Sequence, residues 1–394
     1  MIHERYYKLK KEQEKLLKRK NKVASISLGF IDRYKNPILT KDHFPIEFRF
    51  DLSKKDNPYF LERQGVNATF NSGAIYFKGE YYLMVRVEGI DRKSIFMVAK
   101  SKSPIDNFRF TDTYVDITNY ANETNVYDMR LTYHEDGYIY GMFCSESKDP
   151  KAPLSDTSSA IANTGILRTK DMINFERLPN LVSKAQERNV TLHPYFVDGK
   201  YLLYTRPQDD FINPGQGEGI ASGFVSDMTN PILIDEKVLD ERKYHTVYEV
   251  KNGCGASPIK TDEGFIHIAH GVRNTACGLR YVIYAFMTDL NNPRKVIYKP
   301  AGYLLAPEGE ERIGDVSNVL FTNGLVENGD YVYLYYASSD TRMHVAKMEK
   351  AKLIDYLKNS PKDGFCAKAS LDERFKLINK NKELLGDQKW NINL

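Results

Sequence analysis

Apolar residues in this chain recur at alternate positions over short runs, and glycine punctuates the runs. Five copies of one pattern carry this alternation: a turn glycine, an aromatic residue one or two places later, then an alternating apolar stretch. They are Gly79-Glu-Tyr81, Gly137-Tyr138, Gly199-Lys-Tyr201, Gly264-Phe265 and Gly329-Asp-Tyr331. Each follows an apolar segment, such as Ala74-Ile-Tyr-Phe77 or Tyr195-Phe-Val197. Glycine supplies the positive φ that tight hairpin turns require, so each copy marks a hairpin tip. The glycines lie 58, 62, 65 and 65 residues apart. A long, nearly fixed period is the mark of a radially repeated or stacked architecture. Five units of about 60 residues, each a hairpin with two further short strands, predict an all-β fold, a five-bladed β-propeller.

The ends of the chain break the pattern. Residues 2 to about 22 are rich in Lys, Glu, Leu and Arg and read as an exposed N-terminal helix. The propeller is expected over about 30–347. Helical spacing of Leu, Ile and Tyr then runs over 348–386, interrupted at Ser360-Pro361, and predicts C-terminal helices that cover an edge or the bottom of the propeller. The whole chain, 1–394, reads as a single catalytic domain. The polar stretch Ser145 to Ala162 is loop by composition and a candidate cover for substrate, and Pro207 to Gly219 is a second.

The repeat also directs attention to chemistry. Five residues past each aromatic stand Arg86, Phe143, Arg206, His270 and Tyr336, which are expected to face the middle of the molecule. The segment leading into each unit is polar: Asn67 to Ser72, Asn125 to Arg130, Arg188 to His193, Lys251 to Ser257 and Asp315 to Asn318. Asp128 is the carboxylate in this set that sits between a tyrosine and apolar strand residues, where partial desolvation suits a general acid. The plain alternative is an aspartate paired with Arg130 or capping a turn. Arg188, Arg206, Lys251 and His270 fall at repeat-equivalent places, and such cations clamp phosphate. Inverting hydrolysis needs two carboxylates ~6.5–9.5 Å apart, whereas phosphorolysis needs one acid and a held anion. One carboxylate with four cationic or titratable groups fits the second better.

Composition narrows the rest. Net charge is +4 with 27% charged residues, which argues against a nucleic-acid binder. The four cysteines, Cys144, Cys254, Cys277 and Cys366, form no CxxC pair and no zinc spacing, and read as reduced thiols. Met1 to Tyr6 is charged without an apolar leader, and no run approaches the ~18 residues of a membrane span. A soluble, cytoplasmic protein is expected, with no membrane partner. With Trp390 alone of its type, ring stacking on sugar falls to the 27 tyrosines and 20 phenylalanines. The terminal helices leave room for a homo-oligomer, which is expected.

Several segments resemble glycoside hydrolase family 130. They are Asn71-Ser-Gly-Ala, Val85-Arg-Val-Glu-Gly-Ile-Asp-Arg92, Tyr127-Asp-Met-Arg-Leu-Thr, Arg188-Asn-Val-Thr-Leu-His-Pro, Tyr204-Thr-Arg-Pro-Gln, Ser257-Pro-Ile-Lys-Thr, His270-Gly-Val and Tyr336-Ala-Ser-Ser-Asp340-Thr-Arg-Met-His. The resemblance runs in order over roughly residues 30 to 350. It implies a five-bladed propeller and inverting phosphorolysis of a β-mannoside, with a disaccharide and inorganic phosphate as partners and neither metal nor organic cofactor. It places the catalytic acid on Asp128, acting through a mannose hydroxyl, and phosphate on Arg188, Arg206, Lys251 and His270. Mannose contacts fall on Asn71, Ser72, Arg86, Arg92 and Asp340. Met129 stands where many relatives have proline. Leu305 to Arg312, Gly314 to Phe321 and Ser338 to His344 resemble the branch acting on mannosyl-glucose. The alternatives are a manno-oligosaccharide phosphorylase, an inverting β-mannoside hydrolase, and a carbohydrate-binding propeller without turnover. His193, His245 and His344 lie near these positions and read first as structural residues, with Tyr244-His245 a possible closure over phosphate. Glu308, Glu310 and Glu311 read as a solvated acidic loop, with sugar contact the alternative.

Overall fold

The computed structural model describes residues 1–116, 122–209, 219–364 and 367–386. The fold is all-β with few helices. Five antiparallel units follow one another along the chain. The first comprises Val66–Phe77, Glu80–Gly89, Ser94–Ser101 and Arg109–Tyr114; the second Glu123–Tyr133, Ile139–Lys148, Ala160–Thr169 and Glu176–Leu178. The third comprises Thr191–Val197, Lys200–Thr205, Gly219–Val225 and Ile234–Glu241. The fourth has a leading strand in two pieces, Lys251–Cys254 and Ile259–Thr261, then Gly264–Thr275, Gly278–Thr288 and Val296–Tyr298. The fifth comprises Leu320–Asn328, Tyr331–Ser338 and Arg342–Glu349.

Gly79, Gly137, Gly199 and Gly329 fall between the first two strands of their units, and Gly264 opens the second strand of the fourth, just after Ile259–Thr261. In two of these turns, Lys78-Gly79 and Asp198-Gly199, both central residues have positive φ, the type I′ geometry whose twist matches that of the flanking strands. The edge of the fifth unit does not stay open: Ile31–Tyr34 pairs antiparallel with Arg342–Glu349, joining both ends of the chain in one sheet. The leading strands of the fifth and first units meet at a parallel bridge between Asn323 and Gly73.

The core explains why many strands read as continuous apolar runs rather than clean alternation. Both faces are buried, each in a different cluster. Within Glu80–Gly89, Leu83 and Val85 pack with Phe70, Tyr335 and Val345, joining units five and one. Met84 faces the other way, among Ile75, Phe96, Met129 and Phe143, joining units one and two. Units two and three share Tyr140, Met142, Leu192 and Leu203; units three and four share Leu202, Tyr204, Tyr284 and Phe286. Units four and five share Ile266, Ile283, Leu320 and Leu334.

The helices are α1 (Glu4–Leu17), α2 (Lys350–Asn359) and α3 (Lys368–Leu385). Gln13 of α1 donates to the carbonyls of Asp42 and Phe44, and Leu17 is buried. Leu353 and Leu357 of α2 join the cluster between units four and five, as expected of a covering helix. By contrast α3 has no buried residue, and Leu371, Phe375, Ile378 and Leu385 stand exposed. No helix among the described residues is long and apolar enough to cross a membrane.

The polar stretch from Ser145 to Ala162 is not loop throughout. Its ends extend the paired strands Ile139–Lys148 and Ala160–Thr169, because cross-strand hydrogen bonds override a polar composition. Only the tip remains irregular. Most of the second candidate cover, 210–218, lies outside the described residues, as do Cys366 and Trp390.

Candidate active site

The site begins with a recurring defect. In the first unit Phe70 pairs with Arg86 and Gly73 with Met84, so Asn71 and Ser72 oppose the single residue Val85. In the second unit Tyr127 pairs with Cys144 and Arg130 with Met142, so Asp128 and Met129 oppose Phe143. The fifth unit shifts register at Asn323. Two residues against one is a β-bulge, which bends the strand and re-aims a side chain. The first bulge residue is left-handed in both cases, with φ of +44° at Asn71 and +61° at Asp128, a region Asn and Asp tolerate better than other non-glycine residues. Leading strands meet closely beside these bulges. A Cβ on Gly73 would stand 2.6 Å from the Met129 carbonyl oxygen, and one on Gly324 2.6 Å from the Ala74 Cβ.

These bulges open on a cavity of about 930 Å³ to which all five units contribute. One side is acidic. Asp128 Oδ1 accepts from Asn71 Nδ2 at 2.9 Å and Arg86 Nη1 at 3.0 Å. The carboxyl is therefore gripped by polar donors rather than set among apolar strand residues. Arg86 also donates to Glu88 Oε2 at 2.6 Å and Ser94 Oγ at 3.0 Å, and its guanidinium is sandwiched between Phe70 at 4.4 Å and Tyr127 at 4.8 Å. Burial opposes the Arg86 charge, but Asp128, Glu88 and Asp340 more than offset it, so its pKa rises. Asp340, left-handed at φ +49°, completes this wall. Burial, with repulsion from Asp128, Glu88 and Asp315 against the pull of Arg86, pushes its carboxyl up to about 7.

The other side is cationic. Arg188 Nη2 donates to Tyr127 Oη at 3.1 Å, and that hydroxyl donates to Glu146 Oε2 at 3.0 Å. Arg206 donates through Nη1 to His270 Nε2 at 3.3 Å and through Nε to Gln208 at 3.1 Å. Its main-chain N–H donates to Glu187 Oε2 at 2.9 Å, a buried carboxyl raised well above its ordinary value by burial and by Glu236. Burial, then the charges of Arg188 and Arg130, brings Arg206 down to about 10. Burial, then Arg206, Arg130 and Lys251, holds His270 well below its ordinary value, so the ring is neutral. Burial, then Arg206 and Arg188, lowers Lys251 to about 8. Charge is thus separated across one cavity, an arrangement suited to an anion beside a polar neutral molecule.

Asn71, Arg86, Arg92, Asp128, Arg188, Arg206, Lys251, His270 and Asp340 all line this cavity. Ser72 does not. As the second bulge residue it is equivalent to Met129, and the period-two pleat turns both into the wall. Of the five positions counted from the aromatics, Phe143 and Tyr336 also fall outside. In the second unit the aromatic follows its glycine directly, so the count stops one residue short of Cys144, the residue level with Arg86. Tyr336 instead donates to Glu311 at 2.8 Å and stacks on His344. The three doubtful histidines lie elsewhere. His193 meets Tyr204 Oη at 3.0 Å, His344 meets Ser338 Oγ at 2.9 Å, and His245 lines a separate cavity with Arg273 and Arg374. Tyr244 is exposed and does not line the site cavity. Glu308 and Glu310 stay exposed, as expected of a solvated acidic loop, while Glu311 turns inward onto buried Arg33. Arg130 bonds the main chain of Asp128, not its carboxylate.

Sequence reasoning missed Glu88, Asn189, Tyr281 and Phe321, which also line the cavity. Glu88 had a signal, standing two residues past Arg86 on the same strand face. Asn189 stood beside Arg188, whereas nothing local marked Tyr281 and Phe321.

Because Lys251 is cationic below about 8 and neutral above it, anion affinity falls as pH rises through that value. Sulfate, whose charge is constant there, is the clean probe. Calorimetry is expected to give a dissociation constant about 10-fold weaker near pH 9 than near pH 7, and a nearly flat profile for Lys251→Arg, which stays charged.

Residues 34–359 match the family profile described as beta-1,4-mannooligosaccharide phosphorylase. The chain is 54% identical over 387 residues to the 4-O-beta-D-mannosyl-D-glucose phosphorylase of Bacteroides fragilis, covering 98% of this chain and 99% of that protein. It is 27% identical over 290 residues to a 1,2-beta-oligomannan phosphorylase of a Thermoanaerobacter species, covering 72% of this chain and 90% of that one. The solved structure of a beta-1,2-mannobiose phosphorylase from Listeria innocua shares the fold, with a TM-score of 0.67 at 22% identity, covering 83% of this chain and 99% of that one. This chain belongs to glycoside hydrolase family 130.

Proposed function

We propose that this protein is an inverting glycoside phosphorylase that converts 4-O-β-D-mannosyl-D-glucose and inorganic phosphate into α-D-mannose 1-phosphate and D-glucose. The observation that carries this reading is one cavity holding Asp128 on its acidic wall and Arg188, Arg206, Lys251 and His270 opposite. The near full-length likeness to a mannosyl-glucose phosphorylase supports the choice of sugars. In this reading phosphate attacks the mannose anomeric carbon from the face away from the leaving oxygen. The C1–O4 bond breaks, a C1–O–P linkage forms, and Asp128 delivers the proton to glucose O4 through a mannose hydroxyl. Asn71, Arg86, Arg92 and Asp340 hold mannose. The cations contribute by position and charge, since phosphate arrives already anionic and needs no general base. Phosphate is a co-substrate, and the reaction calls for no metal or organic cofactor.

The same reading takes the chain as a single catalytic domain built as a five-bladed propeller. Its support is the five antiparallel units, the apolar cluster between each unit and the next, and the sheet shared by both chain ends. The free thiols of Cys144, Cys254 and Cys277 fit a reducing, cytoplasmic setting. The uncovered stripe Leu371, Phe375, Ile378 and Leu385 on α3 fits a contact between copies in a homo-oligomer. Replacing Leu371, Phe375 and Ile378 with Ser is expected to lower the mass measured by sedimentation to that of one chain.

Withholding phosphate tests the reaction directly. Mannosyl-glucose is expected to be cleaved only when phosphate is present, yielding α-mannose 1-phosphate by NMR; free mannose released without phosphate contradicts the reading and returns the hydrolase alternative. Asp128→Asn is expected to lower kcat by about 10²–10⁴-fold with the circular dichroism spectrum unchanged.

A further inference from the structure

Arg130 is 1% exposed, yet among the described residues no carboxylate lies within ion-pair distance of it. Arg33, Arg86 and Arg177 instead pair with Glu311, with Asp128 and Glu88, and with Glu123, whereas the side chain of buried Arg206 bonds His270 and Gln208. The Arg130 fork is spent on neutral oxygens from three units. Nη1 donates to the Asp128 carbonyl at 2.7 Å, Nη2 to Asn189 Oδ1 at 2.6 Å, and Nε to the Gly255 carbonyl at 3.0 Å. A fourth unit joins at the same point, where Asn323 Nδ2 donates to the Asp128 carbonyl at 3.0 Å. Burial lowers the guanidinium to about 10, against the through-space pull of the Asp128 carboxylate, so it stays charged near neutral pH.

A neutral amide can donate to carbonyls without burying a charge, so the charge itself calls for an explanation. Asn189 directly follows Arg188, and the Asp128 carbonyl belongs to the left-handed residue of the bulge. We infer that Arg130 is a positioning residue with two tasks: its fork holds the acid-bearing bulge and the Arg188 segment at a fixed separation, and its cation is balanced by the phosphate bound above it. This inference rests on the phosphorolysis reading. Arg130 is absent from the cavity lining, so it acts through its neighbours and through charge rather than by touching substrate.

Steady-state kinetics on purified full-length variants separate the two tasks. Arg130→Gln keeps a donor and loses charge and fork; kcat is expected to fall about 10–100-fold and KM for phosphate to rise about 10-fold. Arg130→Lys keeps the charge, so KM for phosphate is expected to return to within about threefold of wild type while kcat stays low. Asn323→Leu removes the second donor to the same carbonyl without altering charge, and is expected to lower kcat with KM for phosphate unchanged. Folded Arg130→Gln enzyme with both constants within about threefold of wild type overturns the inference. If Arg130→Gln does not fold, the other two variants decide: kcat unchanged in both overturns it, and the split described supports it. Wild-type enzyme that cleaves without phosphate overturns the reaction and this inference together. Phosphate-dependent wild type beside unaffected variants overturns only the inference.

Discussion

The site depends on a break in the β pleat. Alternation sends successive side chains to opposite faces, and here both faces of most strands are committed to apolar clusters. A leading strand without interruption would have no direction left in which to aim a carboxylate at a shared cavity. The bulges at Asn71-Ser72 and Asp128-Met129 release one residue per strand from that commitment and return the next to the core. Both first residues take positive φ, a strain of order 1–3 kcal/mol each that persists only when the surroundings hold it. Around Asp128 the surroundings do so: Asn71 and Arg86 hold its carboxylate, while Arg130 and Asn323 hold its carbonyl.

Charge is arranged with the same economy. A buried guanidinium forfeits several kcal/mol of hydration, and charge-assisted hydrogen bonds return about 1.5–3 kcal/mol each. Three such bonds leave Arg130 near balance, contributing little to folding while keeping a positive charge beneath the cationic wall. Arg188, Arg206 and Lys251 add to it; burial first, and then their mutual repulsion, lowers the pKa values of Arg206 and Lys251. An anion relieves that repulsion. On the opposite wall burial, and after it the crowding of carboxylates around Arg86, raises the pKa of Asp340. A sugar with hydroxyls that both donate and accept suits that wall, and a phosphate suits the other.

How much of this was legible in the sequence depended on range. The hairpins were legible because their signal, a glycine with positive φ beside an apolar run, is local. Asp128 and the four groups opposite it were legible because they recur at the same end of each unit. Register was not. One residue fewer between Gly137 and Tyr138 than between Gly79 and Tyr81 exchanges Phe143 for Cys144, and with it the face of the strand. Ser72 looked like Asn71's equal, but only pairing distinguishes the two positions of a bulge. Arg130 looked like a partner for the Asp128 carboxylate, because its true partners are the Asp128 carbonyl and, from two other units, Asn189 and Gly255. The pattern of α3 gave its apolar stripe but not whether anything within the chain covers it.

The central claim is that pleat breaks in separate units gather an acid and several cations around one anion and one sugar. The most direct measurement is a crystal structure of the Asp128→Asn variant soaked with phosphate and mannosyl-glucose. The account predicts phosphate in contact with Arg188, Arg206 and Lys251, on the face of the mannose anomeric carbon opposite the glycosidic oxygen. Phosphate bound away from these residues, or on the same face as the leaving glucose, would contradict it.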